Sequence, residues 1–302
     1  IGTEAGSRIQ QDNQIFIGTS AGKNNTTGDR NVFIGLNAGA TNAISQDNVI
    51  IGSDAGASLT GTGILGDNVI IGAQAGRDLV SGINNIFLGS NTGGHAITAN
   101  NCVVIGANAM SIGDSSNVII IGNQAGQNNQ AEGVIAIGYY AGYENQSGAN
   151  NIFIGKSAGY NTNADNNLFI GSQAGYTNTS GFDNIFIGFQ SGYLNNDGFN
   201  NLFIGYGAGI NNISGNTNTF IGFESGWTNK DGLNNIYVGV QSGYKNISGS
   251  NNIFFGTQNN KFNKNVILME LFSCMCKRKR HRQRQTLWQS YIYCKSNQNS
   301  LN

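Results

Sequence analysis

Three consecutive apolar residues followed by a glycine recur along almost the whole chain. Examples are Ile152-Phe153-Ile154 before Gly155, Leu168-Phe169-Ile170 before Gly171, and Ile185-Phe186-Ile187 before Gly188. Taking that glycine as origin, copies fall at Gly2, Gly18, Gly35, Gly52, Gly72, Gly89, Gly106, Gly122, Gly138, Gly155, Gly171, Gly188, Gly205, Gly222, Gly239 and Gly256. Of the fifteen intervals ten are 17 residues, four are 16 and one is 20, the long one reading as an enlarged turn around residues 61–65. A small pair such as Ala158-Gly159 or Ser191-Gly192 follows almost every origin. Asn, Asp, Ser, Thr and Gly come next, and these residues make turns by bonding back to their own backbone or tolerating positive φ. Seventeen residues are too few for a helical hairpin repeat, and the β-branched and aromatic enrichment reads as strand. The pattern predicts an all-β fold, a β-solenoid (β-roll) of about sixteen 16–17-residue coils over residues 1–256, with two short strands and two turns per coil. Coils stacked through backbone hydrogen bonds rise roughly 4.8 Å each, which gives a rod of about 75 Å.

Alternate residues of a strand face opposite sides. If the residues one and three before the glycine fill the inside, the residue two before it points out. That column holds Phe16, Phe33, Phe87, Phe153, Phe169, Phe186, Phe203, Phe220 and Phe254, with Ile, Val, Ala and Tyr in the other rows. An outward stripe of this kind exceeds the few hundred Å² of contiguous apolar surface that single soluble chains expose. These phenylalanines are therefore expected to line the interface of a parallel homotrimer. A wider, flattened single coil that buries both faces is the alternative.

The unit "NNIFIGxxAGYxNxSG" resembles the head repeats of YadA-like trimeric autotransporter adhesins, whose "SVAIG" strands form a left-handed β-roll trimer. It is more similar to the 17-residue "NTAIGYQA" type repeats of tail-fibre-like and related bacterial surface proteins. The resemblance covers residues 1–256. It implies a trimeric, elongated protein at the cell surface, outside the cell or in a virion fibre. Two departures stand out: Phe replaces the usual small residue before the last isoleucine, and no stalk, anchor or chaperone segment follows in this sequence.

Composition sharpens this picture. The 302 residues include 45 glycines and no proline, and only 11% are charged. Average usage is about 7% Gly and 5% Pro. The missing prolines fit a fold in which nearly every backbone N–H bonds to the next coil. Apolar residues at 39% and aromatics at 10% exclude a disordered chain. No run approaches the roughly 18 apolar residues of a membrane helix. The opening "IGTEAG" already matches the second half of a repeat, so the sequence reads as a fragment without its own N-terminus, and it shows no signal peptide.

Charge divides the chain. Residues 1–256 carry 7 Lys and Arg against 15 Asp and Glu, and residues 257–302 carry 9 against 1, so the net zero joins a rod at minus eight to a tail at plus eight. Repeats and glycines stop together near Gly256. A shifted reading frame or broken gene would produce such a change; a disordered or capping tail, or a nucleic-acid tail on "CMCKRKRHRQRQ", are the alternatives. Cys274, Cys276 and His281 fall short of zinc-ligand spacing, and the four cysteines form no disulfide framework.

Candidate chemistry is sparse. Gly155-Lys156-Ser157 after an apolar run looks like the end of a phosphate-binding loop, but Asn150 stands where its first glycine belongs and other residues fill the same slot elsewhere. His95 and His281 are the only histidines, and acids such as Asp54, Asp78, Asp114, Glu144, Asp165 and Glu224 occupy unrelated repeat positions. No catalytic pair, metal site or cofactor site is expected. Five residues after the glycine, however, stand Tyr143, Tyr160, Tyr176, Tyr193, Trp227 and Tyr244, interrupted by Ile210. A ladder of rings can stack for structural reasons alone, or offer an exposed face to a carbohydrate or protein receptor. The expected function is a structural and adhesive rod segment of a surface adhesin or tail-fibre-like protein. A spacer without ligand is the second reading, and an ice-binding solenoid a third that lacks the regular outward Thr array. Sequons at Asn24, Asn25, Asn145, Asn178, Asn212 and Asn246 read as turn chemistry.

Overall fold

The computed structural model describes residues 1–60 and 66–258 and the short strand Ile267–Leu268, all within one unit, Ile1–Met269. It is a β-solenoid. Sixteen strands, from β1 (Ile15–Ile17) to β15 (Ile253–Phe255) and the two-residue β16 (Ile267–Leu268), form one parallel sheet in which each pairs only with its sequence neighbours. Register is the repeat itself: Phe169 lies between Phe153 and Phe186, and Ile170 between Ile154 and Ile187. The strand β16 lies beyond Gly256, inside the stretch assigned from sequence to the tail. The rest of that tail, with its basic run, lies outside the described residues.

Each coil has one three-residue strand, not the expected two. The remainder turns, because several positions per coil adopt left-handed backbone that strands do not use. The residue two after the origin glycine is one, as at Asn37, Asp54, Gln74 and Gln190, and the residue five before it is another, as at Asn84, Asn200 and Asn234. Asn, Asp and Gln dominate these corners, in keeping with the tolerance of Asn and Asp for this region.

The inside and outside of the strand are the reverse of the sequence expectation. Phe16, Phe33, Phe87, Phe153, Phe169, Phe186, Phe203, Phe220 and Phe254 do not face a partner; they are the core of a single chain, nearly all of them fully buried. Their rings stack along the axis, with centroids 4.8 Å apart and planes 4° apart for Phe169 and Phe186, and 4.8 Å and 5° for Phe203 and Phe220. The residues one and three before the glycine point outward instead, with Ile15, Ile17, Ile71, Ile86, Ile119, Ile185 and Ile236 between 37% and 51% exposed.

The reason lies in the small pair across the coil. A Cβ on Gly175 would stand 2.3 Å from the Phe169 ring, and one on Gly192 would stand 2.4 Å from that of Phe186. The second residue of the pair is the floor on which the ring rests. A narrow coil accepts one large side chain per strand and excludes two β-branched neighbours. The origin glycines have their own constraint, because a Cβ on Gly188 would meet the carbonyl oxygen of Gly205 at 2.4 Å. The coils approach too closely there for any side chain.

Two columns of buried asparagine close the other end of the core. Four residues before the glycine, the backbone N–H of Asn48 donates to Oδ1 of Asn31 (3.0 Å), and Asn184, Asn201, Asn218 and Asn235 continue the arrangement. The Nδ2 of Asn184 donates to the Gly198 carbonyl and that of Asn201 to the Gly215 carbonyl, both at 2.8 Å. Seven residues after the glycine, Asn195, Asn212 and Asn229 form a second column, each Nδ2 donating to the asparagine below at 2.6–2.7 Å. Buried amides cost free energy unless bonded, and here most rungs supply partners for the next, with Asn25 Nδ2, Asn42 Oδ1 and Asn229 Oδ1 the unpaired exceptions in the second column.

Replacing Phe186 by Ala is expected to destabilise the rod by about 3–5 kcal/mol, whereas Ile185→Ala on the outer face of the same strand should cost the isolated chain no more than about 1 kcal/mol. Urea midpoints of the two variants, measured at a concentration where the chain is single, check this ordering.

Candidate functional site

Column geometry places the six predicted aromatic residues on one edge of the rod. Tyr143, Tyr160, Tyr176 and Tyr193 stack at 5.0, 4.9 and 5.1 Å with planes 11–13° apart. Ile210 ends this run, and Trp227 and Tyr244 form a separate pair at 6.0 Å. The indole lies over Gly207, where a Cβ would come within 2.5 Å of it. All six are half-buried. Burial pushes the phenols of Tyr143 and Tyr160 above their ordinary value.

Stacking decides what this ladder can bind. Within each run the ring faces lie against one another, so the outward surface is a fence of ring edges and hydroxyls. Pyranose recognition by stacking needs an open face. Edges and phenol hydroxyls suit polar and mixed contacts with a protein. One coil is richer: Tyr139 and Tyr140 have centroids 4.0 Å apart, and Tyr140 meets Tyr143 and Tyr160 edge-on at 5.0 and 5.9 Å. Tyr140 has φ 57°, an uncommon backbone state for a bulky side chain, and this turns its ring toward the ladder.

A second external ladder escaped the sequence reading. Directly after the origin glycine, Phe189, Tyr206 and Phe223 stack at 5.2 and 5.1 Å, and Val240 continues the column. All four are exposed, beside the outward Ile187, Ile204, Ile221 and Val238. Their 17-residue spacing was present in the sequence, but variation of this slot in the earlier coils obscured it.

Other candidates are absorbed by the coil-to-coil bonding. At Gly155-Lys156-Ser157 the Gly155 N–H donates to Ile137 O and the Ser157 N–H to Tyr139 O, both at 2.8 Å. Those N–H groups are committed to the ladder and are not arranged around an anion. Asp114 accepts from the Ile97 and Thr98 N–H groups, Asp165 from Ala149, Glu144 from Asn128 and Glu224 from Gln241. His95 Nδ1 lies 2.6 Å from Asp78, whose carboxyl is held below its ordinary value chiefly by the Arg77 guanidinium at 2.9 Å. Among the described residues no three His, Cys, Asp or Glu side chains converge as metal ligands would, and no helix is long and apolar enough to cross a membrane. Cys274, Cys276 and His281 lie outside those residues. Of the sequon asparagines, Asn25, Asn145, Asn178, Asn212 and Asn246 are buried rungs of the second asparagine column. Only Asn24 is half-exposed.

No family model, curated protein or solved structure matches the chain. The functional reading therefore starts from the geometry: a rod with ladders on its outside.

One hydroxyl breaks the pattern of the core. Tyr237 takes the place of a phenylalanine in the buried stack, with its OH accepting from Asn246 Nδ2. Burial, opposed by that bond, raises its pKa well above the ordinary value. A raised value means the neutral ring contributes fully below the free tyrosine pKa of about 10, and that contribution is lost as pH climbs from there toward the folded value. Stability should therefore fall above pH 10 more steeply in the wild type than in Tyr237→Phe, as read from urea midpoints across pH 8–11.

Proposed function

We propose that the chain is a rod segment of an elongated surface or fibre protein, which self-associates side by side and presents a ladder-lined surface to a partner. The observation that carries this reading is the outward face of the sheet. Its two columns, the residues one and three before the glycine, are Ile, Val or Leu in nearly every coil and include no charged residue. Two columns about 10 Å across and some 70 Å long amount to roughly 700 Å², close to the ~800 Å² that each partner contributes to a stable interface. Neighbouring copies share one rise per coil, so isoleucine rows can mesh along their full length. The apolar stripe such an assembly would cover is the isoleucine columns and not the buried phenylalanine column.

A trimer is the assembly implied by the resemblance to trimeric adhesin heads, and it would cover one such face on each of three rods. The tyrosine ladder lies on a different part of the coil. It would stay available for an extracellular protein or carbohydrate receptor, and the fence of ring edges favours a protein. Repetition makes weak contacts add up: copies of one site on a stiff rod raise avidity without any tight single contact. A spacer with the same assembly and no ligand is the second reading.

Two measurements separate these statements. Mass in solution should be a multiple of the chain mass, and Ile119→Glu with Ile185→Glu should reduce it to one chain, because buried unpaired carboxylates are strongly disfavoured. A wild type that stays single at high concentration contradicts the assembly. Attachment to target cells or receptor should fall at least tenfold in Tyr160→Ala, Tyr176→Ala, Tyr193→Ala combined, with mass unchanged. Full attachment by that variant favours the spacer.

A further inference from the structure

The buried side-chain ladders that reinforce the backbone bonds between coils lapse together in one place. In the column four residues before the glycine, asparagines hold positions 31, 48, 68 and 85 and again 151 to 252, but Cys102, Val118 and Val134 stand between. Seven residues after the glycine the second column is apolar from Leu59 to Ala96, reaches Gly113, and returns to asparagine at Asn129. Neither column carries an asparagine in the coils from Gly89 to Gly122. The core stack is ringless over the same coils, passing from Phe87 through Val104, Ile120 and Ala136 to Phe153; it is also ringless at Ile50 and Ile70, but there the asparagine column four residues before the glycine continues through Asn48 and Asn68.

The backbone ladder itself continues through the zone, with Val103 N–H donating to Val118 O and Ile119 N–H to Val134 O at 2.9 Å, and the change is in the bonds from backbone N–H to the side chain below. The Cys102 N–H still donates to Asn85 Oδ1 at 3.1 Å. Above it, the thiol of Cys102 is the group that the Val118 N–H meets, a weaker acceptor than a carboxamide. The N–H groups of Val134 and Asn151 have a valine beneath them where other coils place an asparagine oxygen. Inside the coil, the buried Ser115 accepts from Asn129 Nδ2 at 2.8 Å, and the other polar bridges of the zone, such as Asn101 to Asn117, lie on its exposed side.

Met110 belongs to the same change. It occupies the small-pair position that is glycine in every other coil from Gly6 to Gly243, and it holds φ 45° despite its side chain. With Val104 below in place of a phenylalanine there is room for it, and it is fully buried. A left-handed methionine, two lapsed asparagine columns and a ringless core therefore coincide between Gly106 and Gly122.

We infer that this zone, residues 104–136, is the rod's built-in yield point, where the solenoid opens first and divides into two blocks that each remain folded. Local opening follows regions with fewer cooperative hydrogen bonds and poorer packing, and in a one-dimensional array a weak interface between coils separates the units on either side. Under bending or pulling, such a rod gives way in the middle while the ladder-bearing block from Gly138 onward stays intact. This inference does not depend on the proposed assembly or ligand.

Native-state hydrogen exchange read by mass spectrometry tests it on the whole chain. Amides of 104–136 are expected to exchange at least tenfold faster than those of the interior coils around 33–50 and 169–220, and brief proteolysis should cut first between 106 and 122, leaving two resistant fragments. Installing the missing rungs with Val118→Asn and Val134→Asn should slow exchange in the zone. Conversely, Asn184→Val with Asn201→Val should open a second fast zone there, a readout that holds even if the first variant fails to fold. Equal protection across 104–136 and 169–220 in the wild type, or exchange that advances only from the two ends and reaches the middle last, would overturn the inference.

Discussion

In-register stacking of identical positions at a single rise per coil is the constraint on which the rest of this structure depends. Each residue type must tolerate a copy of its own column directly above and below. Phenyl rings do so by offset stacking, carboxamides by donating to one neighbour and accepting from another, and isoleucines by simple contact. Proline cannot, since it lacks the N–H that the next coil needs. Charges cannot repeat either without like facing like. In two places opposite charges meet: Arg30 sits between Asp29 and Asp47, and Lys23 reaches Glu4.

That constraint made much of the fold legible from the chain alone. The interval between FIG-type glycines set the coil length and the parallel register, and the absence of proline agreed with the continuous backbone ladder. The side of the strand that faces inward was not legible from alternation, because both faces are apolar. The deciding information sat elsewhere in the repeat, in pairs such as Ala174-Gly175. A glycine there is the socket for a ring, which puts Phe169 inside and Leu168 and Ile170 outside. The second expected strand was lost for a related reason: three left-handed positions per coil, such as Asn84, Asn91 and Gly93, leave no room for extended backbone beyond three residues.

The candidate surface was legible to a similar degree. The tyrosines from 143 to 193 were identified by their spacing and do form one ladder. Their orientation was not readable, since spacing places rings in a column without saying whether faces or edges turn outward. The stack turns the edges out, which shifts the expected partner from a sugar face toward a protein. The ladder of Phe189, Tyr206 and Phe223 occupies a slot that varies in the earlier coils, so only the structure separates it from ordinary surface variation. The proposed function rests on these surfaces and on the resemblance of the repeat. The interior explains why the coil is so uniform, and the exterior varies because the stacking constraint is weakest where side chains reach water.

Radical footprinting of the dilute chain, at a concentration where mass measurements report single molecules, tests the central claim most directly. The phenyl rings of Phe153, Phe169, Phe186 and Phe203 should remain unlabelled while Ile119, Ile185, Phe189 and Tyr206 take up oxygen. Labelled core phenyls in the single chain, protected only when chains associate, would contradict the inward stack and return the interface to the phenylalanine column.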